Sequence, residues 1–204
     1  MGESSREKII RAAADLFAVR GYASTNTKDI AAAAGVNETT LFRQFGDKSA
    51  LMEAAIQSMA DEASMRTLSA ALAISDFEES IQTFAEHLMH RFTPNYLRIS
   101  SSYALEMTQA KADAYTRENI KPVVDILAAR IKKAQGKKNV TQWLDPYLAA
   151  RTLIVTLYGH AATIAYWGDA WRKAAHVKSD CVGYYVDIWL RGVLHAPTRL
   201  RPRK

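Results

Sequence analysis

The stretch "TKDIAAAAGVNETTLFRQF", Thr27–Phe45, contains two short helical patterns separated by a single glycine. We expect Thr27 to cap the first helix and Gly35 to end it. Asn37 is then expected to cap the second helix, from which Leu41 and Phe45 face inward. Two helices joined by a turn that contains glycine have the outline of a helix-turn-helix, whose second helix enters the major groove of DNA.

The second pattern directs unusual side chains outward for a merely solvated helix, which would favour Lys and Glu. Threonine methyl groups can contact thymine, while Arg suits guanine and Gln suits adenine. Nearby hydroxyl and ammonium groups are placed to reach phosphates and fix the register. A small bundle used for packing alone remains the alternative. The predicted DNA-binding residues are Thr25, Thr27, Lys28, Asn37, Glu38, Thr39, Thr40, Phe42, Arg43, Gln44 and Lys48.

The whole chain predicts an all-α fold, because apolar residues recur at spacings of three and four and do not alternate. We expect a three-helix helix-turn-helix domain in residues 1–48 and a larger effector-binding and dimerisation domain in 49–197. Residues 198–204 form a basic tail that we expect to be disordered. The expected helices are Ser5–Val19, two in the opening stretch, one from Asp47 to about Leu68, and then Asp76–Phe92, Tyr96–Gln109, Asp113–Gln135, Asp145–Trp167 and Arg172–His195.

Composition limits the function classes without deciding among them. The single cysteine, Cys181, excludes an internal disulfide and favours a reducing cytoplasm. The N-terminus lacks the apolar core of a signal peptide, and we expect no membrane span. The net charge is +6, but residues 1–51 carry seven bases against six acids. Charge alone therefore does not identify a nucleic-acid-binding protein.

Four consecutive motifs carry a family resemblance: "IIRAAADLFAVRGY", "TKDIAAAAGV", "TLFRQF" and "KSAL". Together they make Glu7–Leu51 resemble the N-terminal domain of TetR-family transcriptional repressors. The resemblance implies that one group of residues contacts the DNA backbone, namely Thr27, Thr40, Phe42, Gln44 and Lys48. It implies that Glu38, Thr39 and Arg43 lie where bases are read. Phe42 stands where the family usually has Tyr, and Gln44 where it often has His or Tyr, so those two backbone contacts are expected to differ.

Two apolar helices suggest a partner subunit. The run from Thr152 to Gly168 contains no acid or base, and Cys181–Leu194 is nearly as apolar. Such helices must be covered on more than one side. The resemblance implies a four-helix interface with a second copy, in which Gly159, Ala162, Gly183 and Gly192 permit close approach. A monomer core built from the same helices is the alternative.

An effector pocket is expected among the helices of the second domain. Ordinary core packing also explains such residues, because aromatic stripes at helical spacing are usually core. Apolar residues with a few hydroxyl groups suit a lipophilic or aromatic effector. The predicted ligand-binding residues are Phe84, Leu88, Phe92, Tyr103, Met107, Leu127, Tyr158 and Tyr166.

An enzyme is the less favoured class. His87 and His90 lie beside Glu86 at a spacing that can bind a metal, but no motif supplies a third ligand. Cys181 could pair with His160 or His176, yet no nucleophile signature surrounds it. We therefore expect no catalytic site, metal or cofactor.

The expected function is that of a cytoplasmic, homodimeric repressor that binds a palindromic double-stranded DNA operator and is released by a small molecule. A DNA-binding regulator without a small-molecule effector, either constitutive or controlled by a protein partner, stays open as the alternative.

Overall fold

The computed structural model describes residues 3–59, 62–137, 140–174 and 181–194, apart from the side chains of residues 62–64. These ranges contain α-helices and one π-helical turn, and no strand, which confirms the all-α prediction. The predicted tail, 198–204, lies outside the described residues. The helices are α1 (Ser5–Ser24), α2 (Thr27–Ala34), α3 (Glu38–Phe45), α4 (Lys48–Met59), α5 (Glu62–Ala73), α6 (Phe77–Arg91), α7 (Pro94–Ala104), α8 (Gln109–Tyr115), α9 (Lys121–Gly136), α10 (Pro146–Ala174) and α11 (Val182–Leu194).

The helix-turn-helix forms where the sequence predicts it, with one change of cap. Asn26, and not Thr27, caps α2, because its side chain accepts the backbone N–H of Asp29 at 2.8 Å. Asn37 caps α3 as predicted, accepting the N–H of Thr40 at 2.7 Å. Gly35 ends α2 in the left-handed region, with φ of 67° and ψ of 34°. This conformation strains residues that carry a Cβ, so the glycine fixes the turn between the two helices.

Several helix bounds differ from the predicted ones. The helix predicted as Ser5–Val19 continues to Ser24 after a break at Gly21, whose φ is 76°. The single helix predicted from Asp47 to about Leu68 is described as α4 and α5, and residues 60–61 between them lie outside the described residues. Arg172, predicted to begin the last helix, belongs instead to α10, which continues beyond a non-helical residue at Gly168.

The buried apolar side chains form two clusters. The N-terminal cluster contains residues of α1–α4, such as Phe17, Ile30, Leu41 and Leu51, and also Leu97 of α7. The C-terminal cluster joins α5, α6, α9, α10 and α11. α1 packs against α2 and α4 and also extensively against α7. The packing of the first helices therefore continues through α4 and into the second half, whereas the predicted domain boundary lies at residue 48.

α10 is the longest described helix and lies in the middle of the fold. Among the described residues it alone is long and apolar enough to cross a membrane by length and composition. Leu153 and Leu157 are fully buried on it, and it packs against α7, α9 and α11. This burial is that of a core helix within a helical bundle.

One segment between α7 and α9 differs from the regular helices around it. α8 is followed by a π-helical turn, Thr116–Ile120, and neither contains a buried residue. Pro122, which follows in the first turn of α9, has no N–H to donate to the preceding turn. A π-helical turn is rare and is found frequently at functional sites. We call α8 with this turn the α8–π segment.

Candidate nucleic-acid interface and pocket

The outward face of α3 carries part of the predicted DNA-binding set. Thr39 and Arg43 are exposed, and Phe42 has 43% of its surface exposed. Lys28 on α2 and Asn37 at the start of α3 are also exposed, whereas Thr40 is half-buried. The inner face of α3 places Leu41 and Phe45 in the N-terminal cluster. α3 therefore presents a polar and aromatic ridge on a well-anchored helix.

Two of the predicted contact residues hold α2 and α3 in position. The Thr27 hydroxyl donates a hydrogen bond to the carboxylate of Glu38, which joins the start of α2 to the start of α3. Glu38 is half-buried and is occupied by this bond, although the resemblance placed it among the residues that read bases. This bond helps to fix the angle between the two helices, because it joins a side chain of α2 to a side chain of α3.

Thr25 is a correction to the predicted set. Its side chain is buried, and its hydroxyl donates to the carbonyl of Gly21 at 2.8 Å. The side chain is thus unable to reach a phosphate, and it closes the loop between α1 and α2 instead. Gln44 is also turned inward: it is half-buried, and its Oε1 is buried without a hydrogen-bond partner. It therefore does not stand on the outward face as predicted.

Lys48 lies at the start of α4 and is half-buried. Its ammonium group donates to the carbonyls of Tyr22 at 3.0 Å and Thr25 at 3.1 Å, and it lies 4.3 Å from the centre of the Tyr22 ring. Two of its three N–H donors are used in tying α4 to the end of α1. One donor remains for the predicted phosphate contact.

Two cavities flank the α8–π segment. The apolar pocket, of about 360 Å³, is lined by residues of α6, α7, α9 and α10 as well as by this segment. Four predicted ligand-binding residues line it, namely Leu88, Phe92, Met107 and Tyr158. The polar cleft, of about 670 Å³, lies between the segment and α4 and contains the predicted Tyr103. Tyr115 and Asn119 line both cavities, so the segment is their common wall.

Three of the predicted ligand-binding residues do not line either cavity. Phe84 and Leu127 are fully buried in the C-terminal cluster, where they are packed by neighbouring side chains. Tyr166 is 47% exposed, and its hydroxyl donates to the carbonyl of Leu97 at 3.1 Å. Helical spacing places all three residues on apolar stripes, but the same spacing is found for residues of the core and for residues that line a pocket.

The pocket also contains residues that the sequence reasoning missed. Five of the twelve lie on the α8–π segment, whose contact with the bundle leaves no regular apolar pattern in the sequence. The others lie on α6, α7, α9 and α10. The missed lining residues are Arg91, Tyr96, Ser100, Ala104, Ala112, Tyr115, Thr116, Asn119, Ile120, Val123, Ile154 and Val155.

A polar network connects α4 with α7 and α8 across the polar cleft. The hydroxyl of Tyr103 donates to Glu53 at 2.6 Å and lies 2.7 Å from Ser49 Oγ. The ammonium group of Lys111 donates to Ser49 and lies 3.8 Å from the Glu53 carboxylate. Burial, reinforced by Glu53, raises the pKa of Tyr103, so the phenol stays protonated and donates at neutral pH. The network ties the helix that follows α3 to the helices around the pocket.

α10 and α11 expose large apolar side chains, among them Tyr147, Leu148, Tyr184 and Ile188, each more than half exposed. Gly159 and Gly192 have no atom within 4 Å of an added Cβ and so lie open on these helices. Gly183 is a correction: a Cβ there would lie 3.1 Å from the side chain of Gln82, so this glycine faces α6 of its own chain. The exposed apolar face therefore has small residues at two of the predicted positions.

The residues considered for metal binding lie exposed on α6: Glu86, His87 and His90. Within the described part of the chain, no three His, Cys, Asp or Glu side chains are grouped so that they could hold a metal ion.

Comparison with known proteins shows which family the N-terminal residues resemble. Residues 9–55 match the sequence model of the bacterial regulatory proteins of the tetR family. Residues 9–55 are therefore similar to the N-terminal part of TetR-family proteins. This match covers most of α1, all of α2 and α3, and most of α4, and so includes the complete helix-turn-helix. It confirms the resemblance, and members of the TetR family are transcriptional regulators, not enzymes.

Individual TetR-family relatives are similar over different lengths. A transcriptional repressor of Mycobacterium tuberculosis is 50% identical over 48 residues, which is 24% of this chain and 26% of the relative. The alignment therefore spans about a quarter of that protein.

A TetR-family regulator structure from Mesorhizobium loti has a TM-score of 0.70 at 21% identity, covering 92% of this chain and 94% of the other. The complex of SmeT with triclosan has a TM-score of 0.68 at 17% identity, covering 98% and 97%. These two structures show the fold.

Proposed function

We propose that the protein is a cytoplasmic repressor that binds a partly palindromic operator as a homodimer and leaves it when a small molecule occupies the apolar pocket. The observation that carries the DNA-binding part is the exposed face of α3, where Thr39, Phe42 and Arg43 project from a helix fixed by Asn37 and by the Thr27–Glu38 bond. Placed in the major groove, this face offers a methyl group, an aromatic edge and a guanidinium group to base edges.

The exposed apolar face on α10 and α11 supports the homodimer. Large apolar side chains exposed on two helices that pack against each other favour an interaction site there. A two-fold symmetric pair would present two α3 helices, and half-sites would lie about 34 to 36 Å apart or at a multiple of that spacing.

The apolar pocket supports control by an effector. Its volume of about 360 Å³ falls within the range of ligand sites, roughly 300 to 1,000 Å³. SmeT, which shares the fold, was solved in complex with triclosan. The pocket favours this proposal over a regulator that senses no small molecule.

The polar network supplies a route from the pocket to the DNA-binding helices. Tyr115 lines the pocket, and Lys111, four residues earlier in α8, contacts Ser49 and Glu53 of α4. A ligand that prefers a different position of the α8–π segment would also shift α4 and hence α3. Such a ligand lowers operator affinity only to the extent that it binds the shifted conformation more tightly than the conformation that binds DNA. A coupling of about 1 to 3 kcal/mol corresponds to roughly 5- to 150-fold release.

The direct test is to measure binding of the full chain to fragments of DNA from around its own gene by fluorescence anisotropy at fixed salt. We expect one fragment with two symmetric half-sites to bind at least roughly a thousandfold more tightly than random DNA. Equal affinity for all fragments and random DNA would overturn the proposal.

Effector control is tested by adding lipophilic compounds to the complex of the protein with its operator. A compound that binds the protein without changing operator affinity is not its inducer.

A further inference from the structure

The apolar pocket has one formal charge on its lining. Arg91, in the last turn of α6, is the only lining residue with a formally charged side chain; the others are apolar, hydroxyl or amide side chains. It is half-buried. His90, the other basic residue of that turn, is exposed and does not line the pocket. Arg91 therefore differs from an ordinary solvated base at a helix end.

Arg91 is not neutralised within the described part of the chain. None of the carboxylates whose side chains are described lies within 4 Å of its guanidinium group. A half-buried guanidinium group carries five N–H donors and gains most from a planar, bidentate anion such as a carboxylate. The pocket thus combines an apolar interior with a cation on its wall that has no carboxylate partner among the described side chains.

Two phenols complete the polar end of the pocket. The hydroxyl groups of Tyr96 and Tyr115 lie 3.2 Å apart, and both residues line the pocket. Burial raises the pKa of the Tyr115 phenol, and the neighbouring Tyr96 raises it further, while the positive charge of Arg91 acts on it in the opposite direction. Arg91 is therefore close enough to act on this phenol. Only one of the two hydroxyl hydrogens is used in their mutual bond, so the other can be donated to a ligand.

We propose that the effector of this pocket is an amphipathic carboxylate, whose anionic group binds Arg91 and the free phenolic hydrogen while its apolar body lies against Leu88, Val123 and Ile154. This inference rests on the proposed function only in calling the ligand an effector. A carboxylate buried without such partners would carry a large desolvation cost, and a purely apolar ligand would leave the guanidinium group without an anion. The arrangement favours a ligand that has both an apolar chain and an anionic end.

The test compares decanoate with decanol, which share the apolar chain and differ in the charged end. Binding to the full chain is measured by isothermal titration calorimetry below micelle-forming concentrations. We expect decanoate to bind roughly 10- to 100-fold more tightly than decanol, the range of a charge-assisted hydrogen-bonded pair. Arg91→Gln should remove this preference and leave decanol affinity within about twofold, and Arg91→Lys should restore part of it.

Arg117→Gln is the matched control, because Arg117 lies exposed on the α8–π segment and does not line the pocket. It should keep the full preference for decanoate. The inference is overturned when decanol binds the unmodified protein as tightly as decanoate does. This comparison uses no variant, so it does not depend on whether a variant folds. It is also overturned when Arg91→Gln retains the preference or when Arg117→Gln loses it equally. Operator binding without ligand is measured separately, so its failure would concern the proposed function alone.

Discussion

Arg43 is the exposed residue of α3 with the chemistry best suited to identifying a base. A guanidinium group can donate two hydrogen bonds to the O6 and N7 atoms of guanine. Among the described side chains, no carboxylate lies within 4 Å of it. Glu38 and Lys48 are held by hydrogen bonds within the domain, whereas Arg43 is exposed and can extend from α3 into a groove.

We expect Arg43→Ala to weaken binding to the preferred operator by about 1 to 3 kcal/mol, because a bidentate contact to a base is lost. Binding to random DNA should change much less. Anisotropy titrations of both DNAs at one salt concentration measure the difference. Arg117→Ala removes an exposed arginine far from α3 in the chain and should leave both affinities nearly unchanged. Equal losses on the two DNAs for Arg43→Ala would show that Arg43 contacts only the backbone of DNA.

At the scale of single residues, the sequence predicts exposure well only where the helix alone decides it. Thr39, Phe42 and Arg43 follow from the helical period, and all three are outward. The burial of Thr25 depends on how the loop after Gly21 folds back, which no local pattern encodes. The same holds for Lys48, whose partners lie more than twenty residues earlier in the chain.

The turn between α2 and α3 depends on one backbone conformation, the left-handed one of Gly35. Gly35→Ala should lower the free energy of unfolding by about 1 to 2 kcal/mol, because a Cβ is disfavoured there even though no atom lies within 4 Å of it. Gly35→Asn should cost less, since Asn visits this region more readily. Urea unfolding followed by circular dichroism measures both. A Gly35→Ala protein as stable as the unmodified chain would contradict the argument.

Helix ends marked by local chemistry are predicted from the sequence, whereas ends set by packing are not. α6 and α10 begin where the helices expected from Asp76 and Asp145 start, because the side chains of these two residues accept backbone N–H groups two or three residues ahead. The helix expected over Asp113–Gln135 includes the end of α8, the π-helical turn and most of α9. The π-helical turn and the contact of the α8–π segment with two cavities arise from tertiary packing, so the pocket residues of this segment escaped the sequence reasoning.

At the scale of the whole molecule, the exposed apolar face of α10 and α11 gives the proposed dimer its test. Ile188 is 54% exposed on α11 and lines neither cavity. Ile188→Glu would place an unpaired charge in the interface, which costs several kcal/mol, about 3 to 5 when a buried charge lacks its partner. We expect this variant to sediment as a monomer and to lose operator binding.

Val19→Glu is the matched control for Ile188→Glu, because Val19 is 81% exposed on α1 and a charge there remains in water. It should sediment like the unmodified protein. A dimer that survives Ile188→Glu at the same concentration would place the interface on another face of the molecule.

The N-terminal cluster includes residues outside the helix-turn-helix, and this limits where the chain can be cut to make a fragment or a chimaeric protein. Leu51 and Met52 of α4 and Leu97 and Tyr103 of α7 share one apolar interior with α1–α3. A fragment cut after residue 48 would leave Phe17 and its neighbours facing water and would tend to aggregate. A chimaeric regulator that takes its DNA specificity from this chain would therefore need to inherit α4 as well, and the recipient would need an α7 surface shaped to receive α1.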